Sequence, residues 1–331
     1  MALDMDKFHF GTKDEKKGFC IELLDALKKR GFATIRNHGV FKETLDAQFD
    51  FNRKFFNLPL DVKMKMKHPA QATPNRGYSY VGQENVGNIS GYGKGLGPAS
   101  TRDIKESLDF GSDIDDLVDN VEVPEEVLPS FQVWIDGFYH KLRETQDHVL
   151  AALAIALGIE ESHLKSLHDR AENEFRLLHY PAIPASELRD GTATRCAAHT
   201  DFGTITLHFQ DSVGGLQVED PTEPGTFRDA ESSNLADLIL IAGDSLQRLT
   251  NDTVKAGRHR VTYPPSVDKD GDEMIPERHS IAYFSKLNRD VSLLPLKQFV
   301  TEATPCRYED VTAWEYNNRR SASLYEGLYE G

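Results

Sequence analysis

Apolar residues recur at helical spacing near both ends of the chain and at strand spacing through much of its second half. Over residues 15–30, Phe19, Leu23, Leu24 and Leu27 fall on one helical face, and Gly31 stands where a left-handed cap ends a helix. A short strand over residues 32–37 follows. Helical spacing resumes over residues 45–57 through Phe49, Phe51, Phe55 and Phe56, with Pro59 just beyond. The longest helical pattern, residues 131–157, sets Trp134, Phe138, Leu142, His148 or Val149, Leu153 and Leu157 near one stripe, as expected of a helix that supports a sheet. From Phe175 to about Phe284 the runs shorten and become β-branched or aromatic: residues 204–209, 215–219, 238–242 and 280–284. Turns rich in Gly, Pro, Asp and Asn separate them. That texture predicts a mainly β protein with flanking helices, its strands arranged as a barrel or sandwich whose edges are closed or covered.

Residues 1–130 read as an N-terminal helix-and-strand region, and residues 131–331 as the supporting helix, the β core and a C-terminal helical segment, all within one compact unit. The N-terminal region includes a loop over residues 82–98 with Gly82, Gly87, Gly91, Gly93, Gly95 and Gly97. It superficially resembles a phosphate-binding loop, but no strand precedes it, no helix start follows at once and no Lys-Ser/Thr pair is present, so the nucleotide-binding reading is weak. It reads as a flap near a pocket or as a plain surface loop. Residues 309–329 read as a helix over the barrel mouth or as an association surface.

The formal charge of −15 argues against nucleic acid and against anionic membrane surfaces as partners. The first residues are acidic, without an apolar leader core, and the longest apolar run, residues 149–159, is too short to span a bilayer. Three scattered cysteines, Cys20, Cys196 and Cys306, fit a reducing compartment, so a cytoplasmic location is expected. Cys196 reads as a buried strand cysteine.

The motif that carries chemistry is His199-Thr200-Asp201, joined by His259 in the run Gly257-Arg258-His259-Arg260-Val261, 259 − 201 = 58 residues further on. Residues two apart on an extended chain face the same way, so His199 and Asp201 can reach one ion. His259 must come from a separate strand. Two imidazoles and one carboxylate are the ligand set of non-haem Fe(II) oxygenases, which keep half the coordination sphere open. Any single one of the 12 histidines, such as His38, His148 or His168, reads as surface or hydrogen-bonded core. Counting along one strand from His199 puts His208 on the opposite face, and the same parity turns His279 away from Arg278 and Ser280, so both read as structural. Arg278 and Ser280 are two apart and present a planar guanidinium and a hydroxyl to one side, matched to a carboxylate. Their competing reading is an internal salt bridge with one of the 53 acidic residues. A zinc hydrolase is the poorer reading, since no helix-borne glutamate signature accompanies the histidines.

Several further segments carry a family resemblance. They are Gly31-Phe32 through Asn37-His38-Gly39, Phe55-Phe56-Asn57-Leu58-Pro59, Asn75-Arg76-Gly77-Tyr78-Ser79, Leu178-His179-Tyr180-Pro181, Gly214-Gly215-Leu216 and Ala242-Gly243-Asp244. With the His199, His259 and Arg278 motifs, the chain resembles the Fe(II)/2-oxoglutarate-dependent dioxygenases of the isopenicillin N synthase-like group along nearly its whole length. The resemblance implies a distorted double-stranded β-helix, or jelly roll. It implies that His199, Asp201 and His259 hold Fe(II) as the catalytic centre. Arg278 and Ser280 would hold the distal carboxylate of 2-oxoglutarate, with Tyr180 assisting, and ascorbate would support the iron. 2-Oxoglutarate would then be decarboxylated to succinate and CO2 with consumption of O2, as a substrate C–H bond is oxidised. The chain departs from the group's pattern in having Leu178-His179 for Asn-Tyr, Leu249-Thr250-Asn251-Asp252 for Trp-Ser-Asn-Gly, and no serine before His259.

Within the group the chain is similar to thymine-hydroxylase-like and fungal secondary-metabolite members. That implies a small cyclic or aromatic substrate, oxidised by hydroxylation of a ring methyl or by radical ring expansion as in tropolone formation. Arg176 would supply a hydrogen-bonding cation, and Phe202 and Phe284 two aromatic walls. Asn75, Arg76, Tyr78 and Lys105 are second-rank pocket candidates. The alternatives are an oxidase of the same fold that does not use 2-oxoglutarate, and a non-catalytic small-molecule-binding protein.

Overall fold

The computed structural model describes residues 2–69, 75–88, 102–115, 117–191, 193–230, 232, 234–268 and 270–322. Residues 89–98 of the glycine-rich loop and 323–329 of the C-terminal segment lie outside the described residues. Four longer helices are α1 (Lys13–Arg30), α2 (Lys42–Phe56), α3 (Phe131–Ala156) and α4 (Ala313–Ala322). The strands of the two main sheets are β1 (Leu3–Asp4), β2 (Phe32–Arg36), β3 (Gly77–Ser79), β4 (Glu106–Gly111), β5 (Glu174–Tyr180) and β6 (Cys196–His199), then β7 (Ile205–Gln210), β8 (Leu216–Glu219), β9 (Phe227–Asp229), β10 (Leu238–Ala242), β11 (His259–Val261) and β12 (Arg278–Ser285). The large sheet runs β1-β2-β10-β7-β12-β5-β4-β3 and the small one β9-β8-β11-β6. The architecture is the jelly roll expected.

Alternation along the central strands of the large sheet separates a helix-packed face from a barrel-lining face. Ile205, Leu207 and Phe209 of β7, Leu238 and Leu240 of β10, Ile281 and Tyr283 of β12, and Phe175 and Leu177 of β5 join one core with the buried faces of α1, α2 and α3. The alternate residues Ile239, Ile241, Leu178, Tyr180 and Ala282 pack instead against Cys196, Leu216, Val218 and Val261 of the small sheet. Burying each such side chain contributes roughly 1.5–3 kcal/mol, which pins the register, because a slip of one residue would exchange the two faces.

The helices start and stop for local reasons. Thr12 and Glu15 form a capping box at the start of α1, and Gly31, at φ 76°, ends it. On α1 the buried residues include Phe19, Leu23 and Leu27, whereas Leu24 is only partly covered. On α3 the ambiguity at 148 and 149 resolves in favour of Val149, which is buried while His148 is exposed. Trp134 sits at the margin of the stripe, its Nε1 donating to Gln48 Oε1 at 3.0 Å. Strands are less confined to the second half of the chain than the pattern suggests. β2 pairs with β10, β4 with β5, and β3 with β4, so the N-terminal region completes the large sheet. Among the described residues no helix is long and apolar enough to cross a membrane.

Candidate active site

β6 and β11 lie side by side with His199 directly opposite His259, and the two imidazole centroids are 4.3 Å apart. Asp201 lies two residues beyond the end of β6, so a turn brings its carboxylate back to the imidazoles. Shared strand parity is not what unites them. The turn is held by the Asp244 N–H donating to the Asp201 carbonyl at 2.8 Å and the Thr204 N–H donating to the Ser285 carbonyl at 2.7 Å. A Cβ on Gly203 would lie 2.3 Å from the Ser285 carbonyl oxygen, so this close approach requires glycine.

His199 Nε2 lies 3.7 Å from Asp201 Oδ1, and His259 Nε2 lies 3.8 Å from Asp201 Oδ2. Each imidazole Nδ1 is 2.9 Å from the carbonyl oxygen two residues before it, Ala197 for His199 and Gly257 for His259. A carbonyl only accepts, so the proton resides on Nδ1 and the Nε2 lone pair is left for a metal. Thr206 Oγ1 donates to Asp201 Oδ2 at 2.6 Å and orients the carboxylate. Burial, with the neighbouring His259, holds His199 down to about 3, so its imidazole is neutral as ligation requires. Two imidazoles and a carboxylate, with ligand atoms all within 4.8 Å of one another, fit a divalent iron.

Arg278 opens β12 opposite Tyr180, and its guanidinium carbon stands 4.8 Å from the Tyr180 ring centroid. Nη1 donates to Ser280 Oγ and Nη2 to Gln210 Oε1, both at 2.9 Å, while Nε is buried without a partner. The side chain is completely buried, yet among the described residues no carboxylate lies within salt-bridge distance of it. A buried cation without a counter-ion costs several kcal/mol, so this position fits an arriving anion and not an internal salt bridge. Arg195, missed in the sequence reading, is buried on the same Tyr180 ring at 6.0 Å and donates to the carbonyls of Pro181 and Pro276. Burial, with Arg278 nearby, lowers its pKa to about 10.

His208 departs from its expected place. It lies on β7, not on the strand of His199, and the turn between them resets the parity. Thr206, His208 and Gln210 therefore alternate with the helix-packed residues of β7 and reach Asp201, Arg278 and Arg278 respectively. Burial drives His208 well below its ordinary pKa, reinforced by Arg278 and His259. His279 does point away from Arg278, its ring stacking on His179.

Arg176 lies inward on β5, and two acids from distant segments hold it. It meets Glu84 through both Nη atoms at 2.9 and 2.7 Å, and Asp109 through Nε at 2.5 Å. Glu84 also takes Lys105 Nζ at 2.5 Å, giving a buried Lys105–Glu84–Arg176–Asp109 chain of alternating charge. Against the burial that would raise it, Arg176 and Lys105 hold the Glu84 carboxyl well below the usual range. Lys105 follows Asp103 by two residues, and Asp103 Oδ1 accepts from the Ala197 N–H, two residues before His199, at 3.1 Å. Phe202 and Phe284 are partly buried against the inner core. Phe202 is also covered by Arg320 of α4, 5.1 Å from its ring. Tyr316 of the same helix donates to Asp244 Oδ2 at 2.7 Å, and Asp244 Oδ1 accepts from Thr200 at 2.5 Å. The C-terminal helix is thus tied to the middle residue of the His-Thr-Asp triplet. Asn75, Arg76 and Tyr78 are buried, with Arg76 paired to Asp115 and Tyr78 bonded to Glu106.

The fold and this site together define a non-haem iron oxygenase. The 2OG-Fe(II) oxygenase superfamily model matches residues 171–286, and a model described as the N-terminal region of a non-haem dioxygenase in morphine synthesis matches residues 2–147. The chain belongs to the 2OG-Fe(II) oxygenase superfamily, and it is an enzyme that uses Fe(II) and 2-oxoglutarate. It is 41% identical to the 2-oxoglutarate-Fe(II) type oxidoreductase ppzD of Metarhizium rileyi, covering 98% of this chain and 91% of that protein. It is 39% identical to the proline hydroxylase buaE of Petromyces alliaceus, covering 98% of each. Among solved structures, the full-length thymine hydroxylase of Neurospora crassa in complex with alpha-KG and thymine superposes with a TM-score of 0.86 at 30% identity, covering 98% of this chain and 96% of that one.

Proposed function

We propose that this oxygenase hydroxylates a ring C–H bond of a small cyclic amino acid. His199, Asp201 and His259 hold Fe(II), and Arg278 with Ser280 binds the distal carboxylate of 2-oxoglutarate against the Tyr180 ring. Iron and 2-oxoglutarate, when bound, would react with O2 to supply the oxidant, one oxygen atom passing to succinate as CO2 leaves and the other to the substrate carbon. The protein binds and orients: Thr206 fixes the Asp201 carboxylate, the Ala197 and Gly257 carbonyls fix the imidazoles, and Phe202 and Phe284 exclude water from the substrate side. Substrate position relative to the metal then decides which hydrogen is lost.

The observation that carries the substrate class is the buried Lys105–Glu84–Arg176–Asp109 chain beside the centre. Alternating charges complement a zwitterion, whose ammonium meets a carboxylate and whose carboxylate meets a guanidinium or an ammonium. In the ligand-free protein the four groups pair with one another, so a zwitterion would exchange with those internal contacts. The relative buaE, named as a proline hydroxylase, supports the same reading. Three unpaired cysteines fit a reducing compartment, the cytoplasm.

The test is aerobic turnover with Fe(II), 2-oxoglutarate and a panel of proline, other cyclic amino acids, thymine and ring-methylated aromatic acids, reading succinate and hydroxylated product. A cyclic amino acid is expected to yield succinate in step with hydroxylated product. Turnover of thymine or a methylated aromatic acid alone would overturn the substrate class and leave the oxygenase chemistry standing. Arg176→Ala is expected to raise KM for the amino acid by at least tenfold, about 1.4 kcal/mol of lost charge-assisted bonding. Unaltered KM and kcat in that variant would remove Arg176 from the substrate site.

A further inference from the structure

The two strands that present Tyr180 and Arg278 inward present His179 and His279 on the helix-facing side. We propose that His179, His279 and Glu277 form a second metal site, selective for a zinc-class divalent ion, on the face of the large sheet opposite the iron centre.

His179 and His279 are register partners across β5 and β12, with rings stacked at 4.7 Å and 18°. Ligand atoms of His179, Glu277 and His279 all lie within 4.8 Å of one another. His179 Nδ1 is 2.7 Å from Glu106 Oε1, while Glu106 Oε2 accepts from Lys63 Nζ at 2.8 Å and from the Tyr78 hydroxyl. A carboxylate so occupied accepts from His179, so Nδ1 carries the proton and Nε2 offers its lone pair. That Nε2 lies 3.3 Å from Glu277 Oε2. A carboxylate behind one ring nitrogen and a free lone pair on the other is the arrangement that orients metal-bound histidine. His279 is 5% exposed, and its Nδ1 is buried with no hydrogen-bond partner. Its backbone N–H is anchored by Asp211 Oδ2 at 2.5 Å.

Glu277, with its side chain 61% exposed, is the solvent-facing third ligand through which the ion would enter. The carboxylates of Glu106, Glu277 and Asp211 lie near the cations Lys63, Arg53 and Arg278, of which Lys63 is paired with Glu106 at 2.8 Å and Arg53 with Asp50 at 3.1 Å. Two imidazoles and one carboxylate with a fourth position for water suit Zn(II). Glu277 and His279 flank Arg278 in sequence, so an ion here clamps the start of β12 to β5 from the side opposite the 2-oxoglutarate site.

The test uses the full-length chain with the iron triad disabled by His199→Ala and His259→Ala, stripped with chelator and titrated calorimetrically with ZnCl2 near neutral pH. Stoichiometric binding of one Zn(II) per chain is expected. Adding Glu277→Gln should weaken it by at least about tenfold, and adding His279→Ala should abolish it. Absence of stoichiometric zinc in the triad variant, or an affinity indifferent to Glu277→Gln, overturns the proposal. Glu277 is exposed, so its substitution tests the site even where a change at buried His279 disturbs folding.

Discussion

Replacing Arg278 with methionine separates an anion receptor from a structural cation, because the two roles predict different effects on the ligand-free protein. The guanidinium is fully buried with no carboxylate within salt-bridge distance among the described residues, and it donates to Ser280 Oγ and Gln210 Oε1 at 2.9 Å, with His208 Nε2 at 3.4 Å. Those bonds come from a charged donor and are worth about 1.5–3 kcal/mol each, which roughly offsets the several kcal/mol that burying an uncompensated charge costs. A methionine of similar volume therefore leaves the apo protein about as stable as the wild type. The same change removes two charge-assisted bonds to the distal carboxylate of 2-oxoglutarate, about 1.5–3 kcal/mol each, so affinity falls by at least about a hundredfold. At a concentration a hundred times the wild-type Kd, stabilisation by 2-oxoglutarate is about 2.7 kcal/mol in the wild type and about 0.4 kcal/mol after a hundredfold loss. Differential scanning fluorimetry under nitrogen, with Mn(II) in place of iron and with or without 2-oxoglutarate, reads both quantities. A variant whose apo Tm drops by several degrees while its response to 2-oxoglutarate is unchanged would refute the reasoning.

Two further outcomes follow from named contacts. Thr206→Val deletes the hydroxyl that orients Asp201 Oδ2 and should weaken Fe(II) binding by roughly ten- to a hundredfold with little change in fold, checked by anaerobic metal titration; unchanged affinity would show that the carboxylate is positioned without it. His168, hydrogen-bonded to the Leu164 carbonyl and to Thr204 Oγ1, is held by burial down to about 4 from an ordinary 6.5. Between those values the unfolded chain binds a proton that the folded chain does not, so stability falls as pH drops through that window, by roughly 2 kcal/mol between about pH 7 and pH 5. His168→Gln should flatten that part of the urea-denaturation profile, and an unaltered slope would assign the acid sensitivity to other groups.

Much of the site was legible because its information is local. The His199-Thr200-Asp201 triplet, the distant His259 and the Arg278/Ser280 pair are residue types whose chemistry is evident from identity and short spacing. The 3.6-residue period of α1, α2 and α3 likewise placed most of their buried faces. Local information ended where the chain turned. His208 was assigned to the wrong face because strand parity holds only within one strand, and residues 200–204 break the phase between β6 and β7. The strands β3 and β4 were illegible because a strand of three or six residues has little period to read and is defined by its neighbours.

The sequence by itself determined the reaction class, since two imidazoles, a carboxylate and an arginine-serine pair specify a metal and an acidic co-substrate whatever their exact placement. Only the tertiary structure decided what each charge faces. It left Arg278 buried with no acid within salt-bridge distance among the described residues, and it enclosed Arg176 between Glu84 and Asp109, 92 and 67 residues away. It also stacked His179 on His279 outside the barrel. The physical reason is that ionic pairing depends on distances of a few ångströms, and those are set by which strands the fold brings together, not by separation along the chain.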